Sequence, residues 1–334
     1  MSKLTQLLEQ KDFLLADGAT GTNLFDLGLE AGMAPDVWNL DLPQNITALH
    51  KSFLDAGSDI LVTNSFGASS RRLKLHDMQD RVKEINARAA EIAAEASANV
   101  GRPIVIAGSV GPTGDLFAPL GELTYEQAVE VFIEQISGLK QGGADVAWIE
   151  TMSAPEEIAA AAQAAITVGL PYTVTVSFDT AGRSMMGLAP GEFGTTMGGS
   201  PTPPQAIGSN CGVGASDLLF ALLDLTKSAG DIPVIAKANA GIPHIKGDSV
   251  VYSGTPDLME TYACLAMDVG ARIIGGCCGN RPEHVARMRK ALDSHQKGER
   301  PTREQLEEKL GALVSPPATK SKSEGGRRRR RPTN

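Results

Sequence analysis

Eight short, continuously apolar runs recur along the chain, each followed by a crossover segment, most of them with helical signals, and this alternation limits the architecture more than any single motif. They cover residues 13–17, 59–64, 103–107, 145–150, 172–178, 205–210, 233–237 and 272–276. Strands that do not alternate with polar residues are buried on both faces, as in a parallel sheet covered by crossover helices. Eight such units predict a single-domain α/β fold, a closed (β/α)8 or TIM barrel, with a doubly wound open sheet as runner-up. Helices are expected over 46–56, 78–98, 125–140, 155–168, 215–229, 256–269 and 282–292, whereas glycines and prolines leave room for a short helix at most within 189–204. No internal repeat or Gly/Ser linker divides the body. The reading is a barrel over 1–295, an appended helical segment over 296–314 and a tail over 315–334.

Polar residues gather where these runs end. Asp17, Asn64, Ser109, Glu150, Asn210 with Cys211, Asn239, and Cys277 with Cys278 all fall at or just past the C-terminal ends of their strands. In a barrel those ends form one rim, where active sites lie. The stretch Gly275-Gly-Cys-Cys-Gly279 is the most specific of them. A regular strand would aim Cys277 and Cys278 at opposite faces, so directing both at one point needs the kinked backbone that glycine permits. With Cys211 they make three thiols at strand ends, the pattern of a zinc site with an open fourth position. A vicinal disulfide at Cys277 and Cys278, with Cys211 a buried hydrophobe, is the other reading of the spacing.

Four cysteines are too few for a disulfide framework and suit reduced thiols. No apolar run approaches the roughly eighteen residues of a membrane span, and the N-terminus lacks a leader's apolar core, so a cytoplasmic protein is expected. The net charge is −8; the tail carries +6 of it through Lys320, Lys322 and Arg327 to Arg331 against Glu324, leaving the body at −14. The tail composition predicts disorder. Nucleic acid enters the reading only through those arginines, as a zinc-holding binding protein with an RNA-contacting tail.

The motifs Asp17-Gly-Ala-Thr-Gly-Thr22, Thr63-Asn-Ser-Phe-Gly67, Gly108-Ser-Val-Gly-Pro-Thr-Gly114, Ile149-Glu-Thr151, Gly208-Ser-Asn-Cys-Gly212, Asn239-Ala-Gly241 and Gly275-Gly-Cys-Cys-Gly279 resemble those of the homocysteine S-methyltransferase family, which includes betaine-homocysteine methyltransferases and the homocysteine module of cobalamin-dependent methionine synthase. The resemblance implies that Cys211, Cys277 and Cys278 hold Zn²⁺, with the fourth place left for the substrate thiol. It also implies that Glu150 and Asp17 hold the ammonium group of homocysteine and that backbone amides from Gly18 through Thr20 to Thr22 receive its carboxylate. Asn64 and Asn239 are expected beside them on the rim. An alkyl thiol is largely protonated at neutral pH, and zinc supplies the charge that releases its proton. Three cysteinates around Zn²⁺ leave a net −1 centre, which favours a cationic methyl donor.

Glycine betaine is expected first, with S-methylmethionine, dimethylsulfoniopropionate or a separate corrinoid protein as alternatives. A quaternary ammonium seeks aromatic faces. Trp38 resembles a family tryptophan near the donor, Phe66 lies on the rim, and Trp148 is expected to pack inside the barrel. Gly67 stands where animal betaine enzymes place a tyrosine. A homo-oligomer is compatible with the sequence, and no membrane partner is expected.

Overall fold

The computed structural model describes residues 1–246 and 249–317. Strands β1 (Leu14–Leu15), β2 (Ile60–Val62), β3 (Val105–Val110), β4 (Val146–Met152), β5 (Tyr172–Val176), β6 (Ile207–Cys211), β7 (Val234–Ala238) and β10 (Ala271–Gly276) form one parallel sheet in the order β1-β10-β7-β6-β5-β4-β3-β2. The two ends of that order meet. Ala16 bridges Ile60, the Asp17 N–H donates to the Ile60 carbonyl at 3.2 Å and the Asp59 N–H to the Leu15 carbonyl at 2.6 Å. The barrel is closed by these contacts, and helices cover its outside between successive strands, which makes it a (β/α)8 barrel.

Each expected strand is found, with ends shifted by a few residues. The first is the most reduced, to two residues and a bridge, and Asp17 just beyond it keeps backbone bonds to Ile60 and Gly276 while its side chain lies inside. Side chains of one parity fill the interior: Leu14, Ile60, Val105, Val146, Trp148, Ile235 and Ile273 form a single buried cluster. Leu4, Leu7 and Leu8 join it from the helix Lys3–Gln10, which plugs the N-terminal mouth. Sequence reading assigned no element there, although leucines at i, i+3 and i+4 mark one apolar stripe. Ser2 caps this helix, accepting from the Thr5 N–H at 3.2 Å, and Arg272 donates to the Leu8, Lys11 and Asp12 carbonyls behind it.

One further element departs from expectation, and one agrees with it. The segment before helix Pro256–Val269, where the sequence suggests only a long loop, forms an antiparallel hairpin of β8 (Pro243–Lys246) and β9 (Ser249–Tyr252). The Gly- and Pro-rich stretch does hold a short helix, Pro190–Gly198, with Pro190 in its first turn. Helix Arg303–Leu310 lays Leu306 into the main core, and Asp217 accepts the N–H groups of Val314 and Ser315 at 2.9 Å. The basic residues of the tail, Lys320 to Arg331, lie outside the described residues. No helix among the described residues is long and apolar enough to cross a membrane.

Candidate metal centre

Three sulfurs converge at the C-terminal rim. The ligand atoms of Cys211, Cys277 and Cys278 all lie within 4.8 Å of one another, and all the cysteines are free thiols, so the vicinal disulfide is not what this structure shows. Two backbone devices bring them together. Cys211 ends β6 with φ +63°, a left-handed conformation that costs a non-glycine residue energy and turns its side chain off the strand. After β10, the Cys277 N–H still donates to the Ala238 carbonyl at 2.8 Å while the Ala240 N–H donates to the Cys278 carbonyl at 2.9 Å. The chain then turns at Gly279. Gly276 is required by close approach, since a β-carbon there would stand 2.3 Å from Cγ of Asn280.

Asn280, unnoticed in the sequence, braces this turn. Its side chain donates to the carbonyls of Ala238 (2.9 Å) and Cys277 (3.1 Å), and its own carbonyl accepts from the Ala19 N–H at 3.0 Å. Tyr252 of the hairpin was also missed: its ring packs on Gly279, and its hydroxyl lies by the Cys278 thiol, in contact strong enough to alter the thiol's acidity. The thiols ionise with difficulty without a cation between them. Cys211 has a hydrogen bond with Cys277 that favours its thiolate, but its bond with Cys278 and burial push it up to about 12. Cys278 is likewise pushed up to about 12, a bond with Cys211 being outweighed by Cys277.

A buried polar network joins this cluster to a carboxylate. The register of β4 against β5 shifts between Ile149 and Met152, and Thr151 takes φ +60°, a bulge of the kind that re-aims side chains next to sites. Glu150 precedes this bulge and shares the interior parity of Val146 and Trp148, so it enters the barrel mouth, 7% exposed. Its Oε1 accepts from Ser109 Oγ at 2.5 Å. Its Oε2 receives only a 3.4 Å contact from Asn210 Nδ2, which also donates to Thr151 Oγ1 at 2.7 Å and reaches Cys277 Sγ at 3.7 Å. Asn210 is itself fixed through Oδ1 by the Thr151 N–H (2.8 Å) and Thr175 Oγ1 (2.7 Å). Burial raises Glu150 above the ordinary carboxylate range, against the pull of Lys237 and Ser109.

The other expected residues are placed as follows. Asp17 is buried with both oxygens engaged inside the chain, accepting from the Val62 N–H at 2.7 Å and from Lys237 Nζ at 2.9 Å. Lys237 had no role in the sequence reading, although it shares the interior parity of Ile235 and a charge there must find a partner. Gly18 packs against the Asn280 carbonyl, and Thr20 precedes the helix Gly21–Asp26 without a side-chain cap. Asn239 donates to the Gly212 carbonyl at 2.7 Å while its Oδ1 is buried with no hydrogen-bond partner. Asn64 is turned toward the preceding loop, donating to the Pro35 carbonyl at 2.8 Å and to Asn39 Oδ1 at 3.2 Å. Trp38 is 7% exposed and belongs to the main core, so it presents no open ring face, and Trp148 is fully buried as expected. A β-carbon at Gly67 would stand 2.9 Å from Asp36 Oδ2, so the loop bearing Asp36 fills the space a larger residue there would need.

The residues present fit a thiophilic metal. Three sulfur donors at one point suit zinc. Comparison with known proteins agrees with the architecture. Residues 14–292 match the family model described as homocysteine S-methyltransferase. The chain is 29% identical over 309 residues to the methionine synthase of Mycobacterium leprae and 29% identical over 315 residues to that of Mycobacterium tuberculosis. These alignments cover 86% and 89% of this chain but 25% and 26% of the relatives, so the chain spans about a quarter of their length. Among solved structures, the metallated form of the homocysteine methyltransferase MmuM from Escherichia coli superposes with a TM-score of 0.73 at 22% identity, covering 86% of this chain and 99% of that one. A methyltransferase from Methanosarcina mazei superposes with a TM-score of 0.56 at 12% identity, covering 87% and 97%.

Proposed function

Because the chain belongs to the homocysteine S-methyltransferase family, and is thus a methyltransferase, we propose that it forms methionine from homocysteine at a zinc centre, with glycine betaine as the methyl donor. The observation that carries this reading is the meeting of Cys211, Cys277 and Cys278 within 4.8 Å, one asparagine away from the buried carboxylate of Glu150. The three cysteines would hold the zinc. When bound, zinc supplies the positive charge that keeps an incoming thiol ionised and in place near neutral pH.

The chain's own residues do the rest. Glu150 Oε2, loosely held by Asn210, takes the substrate ammonium, and the backbone around Gly18 and Thr20 faces its carboxylate. Asn210 bridges Glu150 and Cys277, so the ammonium seat and the sulfur site move as one unit, and orientation of this kind supplies much of the rate in a displacement. In transfer, a sulfur lone pair forms the new S–CH3 bond as the donor's N–CH3 bond breaks and its electron pair returns to nitrogen, leaving dimethylglycine. The electron-rich sulfur cluster favours a donor that starts cationic and ends neutral at that nitrogen. A reducing, cytoplasmic setting is part of the proposal, because the centre needs free thiols.

A second reading has the methyl group arriving on a separate corrinoid protein. It is favoured by the methionine synthases among the relatives and by exposed apolar side chains on the loops at the rim, among them Phe66, Leu116, Leu120, Met185 and Ile242. Methionine formation by zinc-loaded protein, offered homocysteine with betaine, dimethylsulfoniopropionate, S-methylmethionine and methylcobalamin in turn, separates the two. Betaine is expected to give the largest kcat/KM; turnover with methylcobalamin alone would replace the first reading by the second. Glu150→Gln is expected to keep zinc and raise the KM for homocysteine at least tenfold, with kcat less affected. Binding of 4-mercaptobutanoate, which lacks the ammonium, should be unchanged.

A further inference from the structure

The turn that carries Cys211 is braced from outside the barrel by a segment that the assigned chemistry does not use. After helix Arg303–Leu310, residues 311–317 run back to the start of the helix Ala215–Ser228, which leaves the end of β6. There Asp217, 5% exposed, accepts the N–H groups of Val314 and Ser315, one on each oxygen, at 2.9 Å. Ser315 Oγ in turn accepts from the Ala181 N–H at 2.8 Å, and a β-carbon at Gly182 would stand 3.2 Å from Pro317 Cγ. We infer that Asp217 and this strap are positioning elements of the metal centre: they hold Cys211 in the conformation that brings its sulfur to the other two. The inference rests on the zinc reading given above.

The strap has two anchors, and the Cys211 turn lies between them. Asp217 belongs to the helix that starts directly after the turn, whereas Ala181 and Gly182 belong to the loop that leaves β5, the strand beside β6. The turn is costly: Cys211, Gly212 and Gly214 take φ of +63°, +75° and +140°, and a cysteine in the left-handed region persists only where its surroundings over-determine it. One restraint comes from β7, where Asn239 donates to the Gly212 carbonyl at 2.7 Å. On the β5 side Gly212 meets Ser177 and Asp179, and the Asp179 carboxylate accepts from Ser177 Oγ at 3.1 Å and Thr180 Oγ1 at 3.0 Å. Thr180 and Arg183 then close a tight turn with reciprocal N–H···O bonds of 2.9 Å. Its central residues, Ala181 and Gly182, lie at φ +50° and +74°, a geometry alanine adopts at a cost. Ser315 satisfies the Ala181 N–H and Pro317 closes over Gly182. The strap thus fixes both the wall on which Gly212 rests and the helix that the turn feeds. With it loosened, Cys211 relaxes toward extended backbone and its sulfur leaves the cluster.

The test is competition for zinc between reduced, full-length protein and a chromophoric chelator, with the visible spectrum of the Co²⁺-loaded protein and the thermal midpoint of the metal-free protein measured on the same samples. Asp217→Asn/Ser315→Ala should weaken zinc binding at least tenfold, the scale of one strained residue released, and diminish the Co²⁺–thiolate absorption. Ser315→Ala alone, which removes a single hydroxyl, should weaken zinc about threefold and decides the matter if the double variant does not fold. Leu4→Ala, at the opposite mouth of the barrel, is the control for lost stability: its midpoint should fall while zinc affinity and the Co²⁺ spectrum stay as in wild type. Zinc affinity unchanged in the strap variants, or lowered as much in Leu4→Ala, overturns the inference. Wild-type protein that takes up no zinc contradicts the functional reading and this inference together, an outcome distinct from the variant comparison.

Discussion

At the residue scale the account depends on single atoms that no neighbour can replace. Cys278→Ala removes one of three sulfur donors and is expected to abolish both zinc retention after dialysis and methyl transfer, with circular dichroism unchanged; metal retained at full stoichiometry would count against its role. His50 offers a test of stability rather than chemistry. It is 1% exposed with both ring nitrogens unpartnered, and burial lowers it to about 4. The unfolded chain binds a proton near pH 6.5 that the native state refuses until about pH 4, so stability is lost as pH falls through that window. The loss is on the order of 3 kcal/mol. Asp36, raised by burial to about 6, works in the opposite sense, gaining stability as pH falls. His50→Leu isolates the histidine: urea midpoints of wild type and variant should converge as pH falls from 7 to 4.5 if the leucine packs less well, or diverge in the variant's favour if it packs equally. An unchanged gap would contradict the assignment. Cysteines and rim acids were legible because their types are rare and their positions coincide with strand ends. Lys237 was not, because a lysine closing an apolar run looks like any rim lysine until register gives it a side of the sheet.

At the scale of elements, hydrophobic continuity carried most of the information. Both-face burial writes each barrel strand as an apolar run, so all were visible, and β4 was misjudged only at its end, where the bulge at Thr151 extends it beyond Glu150. Asn280 and Tyr252 fell outside that logic, since their positions follow from a turn and a hairpin that bring distant segments together. The helix Lys3–Gln10 shows the limit more plainly. Its three leucines signal an amphipathic helix, but only the barrel's open mouth gives them a destination. Leu4, fully buried in that plug, should cost about 2–5 kcal/mol when replaced by alanine, read as a shift of the urea midpoint at constant slope. Because the plug lies at the end of the barrel opposite the cysteines, homocysteine affinity below the transition should not change; a variant of normal stability would mean the plug is not part of the core.

For the whole molecule, one architecture explains why residues from every part of the sequence share a site. Strand ends of a closed parallel barrel point the same way, so Asp17, Glu150, Asn210, Cys211 and Cys277 become neighbours across as many as 260 residues of chain. The barrel supplies a rigid rim on which the proposed zinc would be held. Zinc bound at a thousand times its dissociation constant adds about 4 kcal/mol to folding stability, so the central claim has a thermodynamic as well as a chemical face. The most direct test is elemental analysis of protein purified and kept reduced. The account predicts one zinc per chain, or uptake of one on addition to stripped protein. Reduced, folded protein that contains no metal and takes up none would contradict it.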